Sequence, residues 1–100
     1  MRIISRKVLV DFAAKHSQSK PSLEHWERIT KAASWSTIQE VTSAFSKSKG
    51  LNHERVRFEV QGGNFRLVVA FDFERQAAFI KFVGTHADYD RIDALTVSEY

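Results

Sequence analysis

The spacing of the apolar residues changes in the middle of the chain, and this change limits the folds that are open to it. In the first half, apolar residues recur at three- and four-residue steps, as in Leu23, Trp26 and Ile29, which is typical of amphipathic helices. In the second half, they alternate with polar residues over 55–60 and 65–73, which is typical of half-buried strands. Helices followed by a meander predict an α+β fold, with the N-terminal helices packed on one face of a small antiparallel β-sheet.

The chain has 100 residues, which is enough for one hydrophobic core, and neither a repeat nor a long linker divides it. We therefore expect a single domain over residues 1–100. A hinge is expected at the polar and basic stretch 43–50. The helices are predicted to run from Ser5 to about His16, from Pro21 to Trp35, and through a short segment that begins after Thr37, and Ile3 and Ile4 are predicted to form a short strand.

Two turns determine the expected pairing of the strands. The turn at Gln61-Gly62-Gly63-Asn64 is typical of a hairpin, and it places Glu59 opposite Arg66. A second turn, over 74–77, leads into a third strand and sets Lys81 in one row with Ala70 and Arg55. The chain is predicted to end in a short polar helix, from Ala87 to Leu95.

With this register, Arg55, Arg57, Arg66 and Lys81 lie on the face of the sheet opposite the helices. Several cations on a rigid sheet form a suitable site for a phosphate. The same pattern is also typical of a solvated sheet face, in which Glu59 and Arg66 form an ordinary cross-strand ion pair. The residues alone leave both interpretations open.

A second cluster of polar residues directly follows the third strand. His86, Tyr89 and Asp90 are spaced i, i+3 and i+4, so a helix would place them on one side. An imidazole, a phenol and a carboxylate are suited to proton transfer, and a neighbouring carboxylate orients the imidazole. The alternatives are a short helix capped by Thr85 and Asp88, with only a structural role, and a metal site made of His86, Asp88 and Asp90.

Composition excludes several classes of protein. The chain has no cysteine, which excludes disulfides, thiol nucleophiles and cysteine-ligated metals. Its net charge of +3 permits a polyanionic partner but does not require one. No apolar run approaches the roughly 18 residues that span a bilayer, and the N-terminus lacks the apolar region of a signal peptide. We therefore expect a cytoplasmic protein with no membrane partner.

Two motifs in the second half of the chain resemble those of the HigB toxins, which belong to the RelE-like superfamily of type II toxin–antitoxin systems. One is Gly62-Gly63-Asn64-Phe65-Arg66, and the other is Gly84-Thr85-His86-Ala87-Asp88-Tyr89-Asp90. The opening Met1-Arg2-Ile3-Ile4, Trp26 and Trp35 are similar to that family as well. Many relatives have Tyr where this chain has Phe65, so that hydroxyl is missing here.

The resemblance implies a microbial RNase fold and a ribosome-dependent endoribonuclease that cleaves mRNA and inhibits translation. The implied reaction is attack of the ribose 2′-OH on the adjacent phosphate, with no metal and no cofactor. A HigA-type helix-turn-helix antitoxin is the implied partner. Operator DNA would be bound only through the toxin–antitoxin complex.

The resemblance also implies roles for individual residues. Arg66 would hold the scissile phosphate, with Lys81 as a second cation. His86 would transfer a proton, Asp90 would orient that imidazole, and Tyr89 would stack on a base or donate its hydroxyl. Four further cations are candidates for contacts with RNA phosphates: Arg55, Arg57, Lys47 and Lys49.

Two other functions are compatible with the same residues. One is a non-catalytic nucleic-acid-binding module that uses the basic face, and the other is an inactive module that only binds an antitoxin. The nuclease is favoured because phosphate binding alone requires neither His86 nor Tyr89.

Overall fold

The computed structural model describes residues 1–100, which form helices packed on one mixed five-stranded sheet. The strands are β1 (Arg2–Ile4), β2 (Ser48–Gly50), β3 (Arg55–Val60), β4 (Phe65–Asp72) and β5 (Ala77–Thr85). The helices are α1 (Arg6–Lys15), α2 (Lys20–Ala32), α3 (Ile38–Ala44) and the short α4 (His86–Tyr89), with a 3₁₀ turn at Ser17–Ser19. The predicted α+β fold is confirmed.

The sheet has the strand order β1-β5-β4-β3-β2. The three strands of the predicted meander, β3, β4 and β5, are antiparallel as expected, whereas β1 pairs parallel to β5. The predicted hinge at 43–50 contains β2, which adds an edge strand next to β3. Because β3 and β4 are interior strands, their side chains on both faces have fixed neighbours.

Local signals account for where the helices begin. Pro21 lies in the first turn of α2, where its missing N–H costs no hydrogen bond. Thr37 caps α3, because its Oγ1 accepts from the Glu40 N–H at 3.2 Å. Ser5 precedes α1 in a left-handed conformation with φ 71° and makes no side-chain capping bond, so it marks the start of that helix by backbone geometry alone.

The core lies between the helices and the inner face of the sheet. Leu67, Val56 and Ile80 on the central strands are almost fully buried, and they pack with Leu9 of α1 and Leu23 of α2 in one apolar cluster. This packing confirms that the apolar side of the alternation faces the helices. The opposite, outer face carries the polar residues that the sequence singled out.

The register of the first hairpin is as predicted, with Val60 opposite Phe65 and Glu59 opposite Arg66. The predicted register of β4 with β5 is wrong, because the turn between them spans 73–76 and Asp72 pairs with Ala77. A bulge follows in β5: Ile80 lies opposite Val69 and Phe82 opposite Val68, so Lys81 is the extra residue. The predicted register assumes that every residue of β5 pairs in strict alternation. A bulge adds one unpaired residue, so it shifts the register of all residues beyond it.

The C-terminal helix is shorter than predicted. It ends at Tyr89, and the remaining residues run across the outer face in turns and extended backbone. We call residues 93–100 the C-terminal segment. None of the helices has both the length and the hydropathy needed to cross a membrane.

Glu27 links α1 to α2, because its carboxylate accepts from Arg6 and pairs with Lys31 Nζ at 3.2 Å. Burial by itself raises the pKa of Glu27. The hydrogen bonds and charges of Arg6 and Lys31 together lower it by more than burial raises it, so the pKa lies below its ordinary value of 4.5. A carboxyl whose pKa is lowered by folding stabilises the protein above its unfolded pKa, and that contribution is lost as the pH falls through the folded pKa.

We expect Glu27→Gln to lower the free energy of unfolding by about 1 kcal/mol at neutral pH. The difference from the native protein should shrink through a series of pH values below 4.5, because the native carboxyl becomes neutral there as well. Urea unfolding at each pH measures it. Glu24→Gln, which changes an exposed carboxylate on the same helix, is the control and should have little effect, and a difference that grew on acidification would contradict the assignment.

Candidate functional site

Two of the predicted basic residues, Arg57 and Arg66, meet on the outer face near the β3–β4 hairpin. In one row across the strands, Glu59 lies opposite Arg66 and Arg66 lies opposite Gly84. In the neighbouring row, Arg57 lies opposite Lys49 of β2. Opposed residues have Cβ atoms about 5 Å apart, so Arg57, Glu59 and Arg66 form one compact group, which we call the arginine patch.

Glu59 lies between the two guanidinium groups of the arginine patch. Its Oε2 is 3.3 Å from Arg57 Nη2, and its Oε1 is 3.5 Å from Arg66 Nη1. One carboxylate between two guanidinium groups leaves the patch with a net positive charge. The pair of cations can therefore accept an added anion.

Arg66 is held rigidly within the patch. The residue is 9% exposed, its Nη1 donates to the Gly63 carbonyl at 2.9 Å, and its guanidinium carbon lies 5.9 Å from the centre of the Tyr89 ring. The Nε atoms of both Arg66 and Arg57 are buried without a hydrogen-bond partner. Buried N–H groups are normally paired, so the two arginines have donor capacity that the protein itself does not use.

The hairpin brings its own backbone close to these charges. Gly63 has a φ of 93°, and a Cβ at this position would lie 2.9 Å from Glu59 Oε1 and 3.3 Å from Arg66 Nη1. Glycine is therefore required here both for its backbone conformation and for the space it leaves. The turn that reverses the chain also shapes one wall of the arginine patch.

The capping box predicted for α4 is present. Thr85 Oγ1 accepts from the Asp88 N–H at 3.1 Å, and the Asp88 carboxylate accepts from the Thr85 N–H at 3.3 Å. The His86 N–H donates to the Asn64 carbonyl at 3.1 Å, which ties α4 to the hairpin. These bonds place α4 at the same end of the sheet as Arg66.

The side chains of His86, Tyr89 and Asp90, in α4 and at its C-terminal end, point to two different places. His86 Nδ1 lies 3.2 Å from Asp90 Oδ2, and both side chains are more than half exposed. The carboxylate can therefore hold the Nδ1–H tautomer, which leaves Nε2 available to exchange a proton. Tyr89 instead turns toward the sheet, where its ring lies 6.2 Å from that of Phe82 and borders Arg66.

The alternative metal site at His86, Asp88 and Asp90 is wrong. No three His, Asp or Glu side chains of the structure are grouped so that they could hold a metal ion. The Asp88 carboxylate is occupied by the Thr85 N–H in the capping box, which directs it away from such a site.

Lys81 does not join the arginine patch, and the predicted row of Arg55, Ala70 and Lys81 is wrong. Phe79 occupies that place opposite Ala70. Lys81 lies in the bulge, three residues and roughly 10 Å along the strand from Gly84, the partner of Arg66. Its Nζ donates to Ser98 Oγ at 3.3 Å, so this ammonium group contacts the C-terminal segment.

Arg55 also contacts the C-terminal segment. The residue is 8% exposed, and its Nη1 donates to the carbonyls of Ala94 at 3.1 Å and Val97 at 2.7 Å. The expectation that Arg55 holds an RNA phosphate does not fit this arrangement, because the protein's own carbonyls occupy the guanidinium. The apolar residues that the predicted register puts on this face, Val68, Phe79 and Val83, predict that the C-terminal segment or a partner covers part of it. The structure shows the segment there, but its contact with Arg55 does not follow from the sequence.

The two lysines of the former hinge region lie close to the patch. Lys49 is opposite Arg57, and the Lys47 carbonyl accepts from the Glu59 N–H at 2.8 Å. Both residues are exposed. Lys49 of the edge strand β2, and Lys47 just before that strand, therefore add two solvent-exposed cations beside the buried Arg66 and the half-buried Arg57.

Comparison with known proteins identifies the family. A family model described as HigB_toxin, the RelE-like toxic component of a toxin–antitoxin system, matches residues 19–92. The chain belongs to this family of HigB toxins. A curated relative, the mRNA interferase HigB of Escherichia coli O6:H1 (strain CFT073), is 27% identical over 94 residues, which span 92% of this chain and 91% of the relative. The family resemblance found in the sequence is thereby confirmed.

Glu59 is the one residue of this HigB toxin's arginine patch that the sequence analysis did not select. The hairpin register already placed it opposite Arg66, but a carboxylate opposite an arginine is ordinary on a solvated sheet face. What distinguishes Glu59 is its second contact, with Arg57 on its own strand. No signal in the sequence pattern separates that arrangement from a simple ion pair.

The hairpin of this HigB toxin offers a test of the patch geometry. We expect Gly63→Ala to displace Glu59 and Arg66 and to destabilise the fold by about 1–3 kcal/mol. Gly62→Ala is the matched control, because Gly62 also has a positive φ, of 66°, but a Cβ added there would meet no atom within 4 Å. Urea unfolding compares the two variants, and equal losses would mean that backbone strain alone, and not contact with the patch, requires glycine at 63.

Proposed function

We propose that this toxin is an endoribonuclease that cleaves mRNA on the ribosome and so inhibits translation in the cytoplasm. The observation that carries the proposal is Arg66, a guanidinium held beside a carboxylate and a phenol on a rigid sheet. The name of the E. coli relative, mRNA interferase HigB, supports the same activity.

The proposed reaction is cleavage by the RNA's own 2′-OH. The 2′-oxygen forms a bond to the adjacent phosphorus, the bond from phosphorus to the 5′-oxygen breaks, and the products are a 2′,3′-cyclic phosphate and a 5′-OH. A base must take the 2′-OH proton, cations must stabilise the phosphorane, and an acid must protonate the leaving 5′-oxygen. Side chains can supply all three functions, so the proposed mechanism uses no metal and no cofactor.

Arg66 and Arg57 are the proposed ligands of the phosphate, because one guanidinium group can donate two parallel hydrogen bonds to two phosphate oxygens. Glu59, between them, is suited to accept the 2′-OH proton. His86, oriented by Asp90, is suited to protonate the leaving oxygen through Nε2. Tyr89 would stack on a base or donate its hydroxyl, and Lys47 and Lys49 would contact neighbouring phosphates.

Dependence on the ribosome follows from the small charge of the protein. The net charge is only +3, and two residues that were predicted to contact phosphates, Arg55 and Lys81, are bound to the C-terminal segment. The electrostatic affinity for RNA should therefore be weak and sensitive to salt. The ribosome would then hold the mRNA in place, and proximity would supply the missing part of the rate.

As a HigB toxin, the protein has an antitoxin partner. We propose that this partner is of the HigA type, with a helix-turn-helix, and that operator DNA is bound only through the complex of the two proteins. The surface that meets the antitoxin is a separate question from the chemistry of the arginine patch.

Expression without antitoxin tests the nuclease. We expect the native protein to arrest growth and to cut transcripts, and Arg66→Ala and His86→Ala each to lower the rate of cleavage about 100-fold or more. Arg75→Ala and His53→Ala are the controls, because both residues are exposed and lie outside the site. Primer extension on ribosome-bound mRNA gives the rates.

Two results would contradict the proposal. Arrest and cleavage that survive both Arg66→Ala and His86→Ala would exclude this site. Binding of nucleic acid without any cleavage, in native protein and variants alike, would favour the non-catalytic module. Circular dichroism of each variant separates loss of activity from loss of fold.

The role of Glu59 has its own test. If its carboxylate takes the 2′-OH proton, Glu59→Gln should lower the single-turnover rate about 100-fold or more, and Glu59→Asp, which keeps a carboxylate, should retain more of the rate. A structural role predicts instead a smaller loss in Glu59→Gln, with no advantage for Glu59→Asp. Glu54→Gln, which alters an exposed carboxylate just before β3, serves as the control on programmed ribosomes.

A further inference from the structure

A groove of about 460 Å³ opens at the edge of the sheet, where β3 extends past β2. The beginning of α2 forms one wall, and the loop after α3 forms the other. It is distinct from the arginine patch, which lies on the outer face. Of the residues with a role proposed so far, only Glu59 and Lys47 line it.

The floor of the groove is aromatic. Trp26 and Phe58 are 3% and 2% exposed, and their rings pack edge to face at 5.6 Å. Phe45 packs against Phe58 in the same manner at 5.1 Å. Trp26 and Phe58 are thus closed to a ligand and support the floor from below, and the half-buried Phe45 is the ring that a flat heterocycle can contact. Stacking on such a ring tolerates any of the four bases.

The rim of the groove is polar and exposes groups that can distinguish one base from another. His25 of α2 is exposed on the rim and offers a ring for stacking and a ring nitrogen for hydrogen bonding. The Gln61 side chain also lines the groove, and its Oε1 accepts from Asn64 Nδ2 at 2.6 Å. This bond directs the amide and leaves its Nε2 for another acceptor.

The groove and the arginine patch are linked through two residues. Glu59 and Lys47 both line the groove, while the Glu59 carboxylate lies 3.5 Å from Arg66 Nη1. The exposed Lys47 side chain adds a cation between the two sites. A chain that places a phosphate on Arg66 can therefore pass its neighbouring base around the sheet edge into the groove.

We propose that this groove binds a nucleobase of the RNA substrate, next to the scissile linkage, and sets which nucleotide is preferred there; the proposal rests on the proposed ribonuclease function. The continuity with two guanidinium groups and the exposed lysine favours a polyanion over an uncharged peptide. The base would lie against the half-buried Phe45, with the exposed His25 stacked on its open face.

Binding of uncleavable RNA tests the groove without relying on catalysis. The probes are four 2′-O-methyl RNA trinucleotides that differ in one base, since the methyl group blocks the attacking hydroxyl. We expect chemical-shift changes in the NMR spectrum at the Trp26 indole N–H and at residues 45–47, with affinities that differ among the four probes. His25→Ala should weaken the preferred probe about 5- to 100-fold, the effect of losing one stacked ring.

Matched variants separate stacking from general damage. His25→Phe keeps a ring and should restore most of the affinity, whereas His53→Ala alters a histidine outside the groove and should change nothing. Equal affinity of the native protein and His25→Ala for all four probes, or shifts confined to the arginine patch, would overturn the groove proposal even if the toxin cleaves mRNA. Base-selective shifts in the groove would support it even if cleavage were never detected.

Discussion

The antiparallel pairing of β3 with β4 is the constraint on which the rest of the structure depends. The inner sides of both strands are buried beneath the helices, so a slip of one residue would move apolar side chains into solvent. The same pairing sets the outer face, because it fixes Glu59 opposite Arg66. Burial on one side of the sheet thus determines, without further interactions, which charges meet on the other.

The arginine patch is a cluster of opposite charges on a rigid sheet, with two cations for one anion. Two guanidinium groups share one carboxylate, and both arginines retain buried N–H groups that the protein leaves unpaired. An unpaired buried donor lowers the free energy of unfolding, and the packing of the surrounding sheet offsets this loss. The net positive charge of the patch suits the phosphate that we propose as its ligand, while α4 brings an exposed imidazole to the same end of the sheet.

The C-terminal segment divides the outer face into two parts. At one end, Arg55 and Lys81 bind carbonyl and hydroxyl oxygens of the segment itself. At the other end, the arginine patch and α4 stay clear of it. The basic face that alternation predicts as one surface is therefore divided: Arg55 and Lys81 have a structural role, and the proposed substrate site is confined to the half next to the hairpin.

The sequence by itself determined that helices come first and strands follow, that Glu59 lies opposite Arg66 in the hairpin, and that a capped turn presents His86. It also indicated the family to which the chain belongs. All of these depend on residues that are close together in the chain. Only the tertiary structure decided that Lys81 lies in a bulge, that Arg55 holds the chain end, and that an edge groove adjoins the patch. A bulge, a docked segment and a groove depend on contacts between distant residues, and such contacts leave no periodic trace in the order of the amino acids.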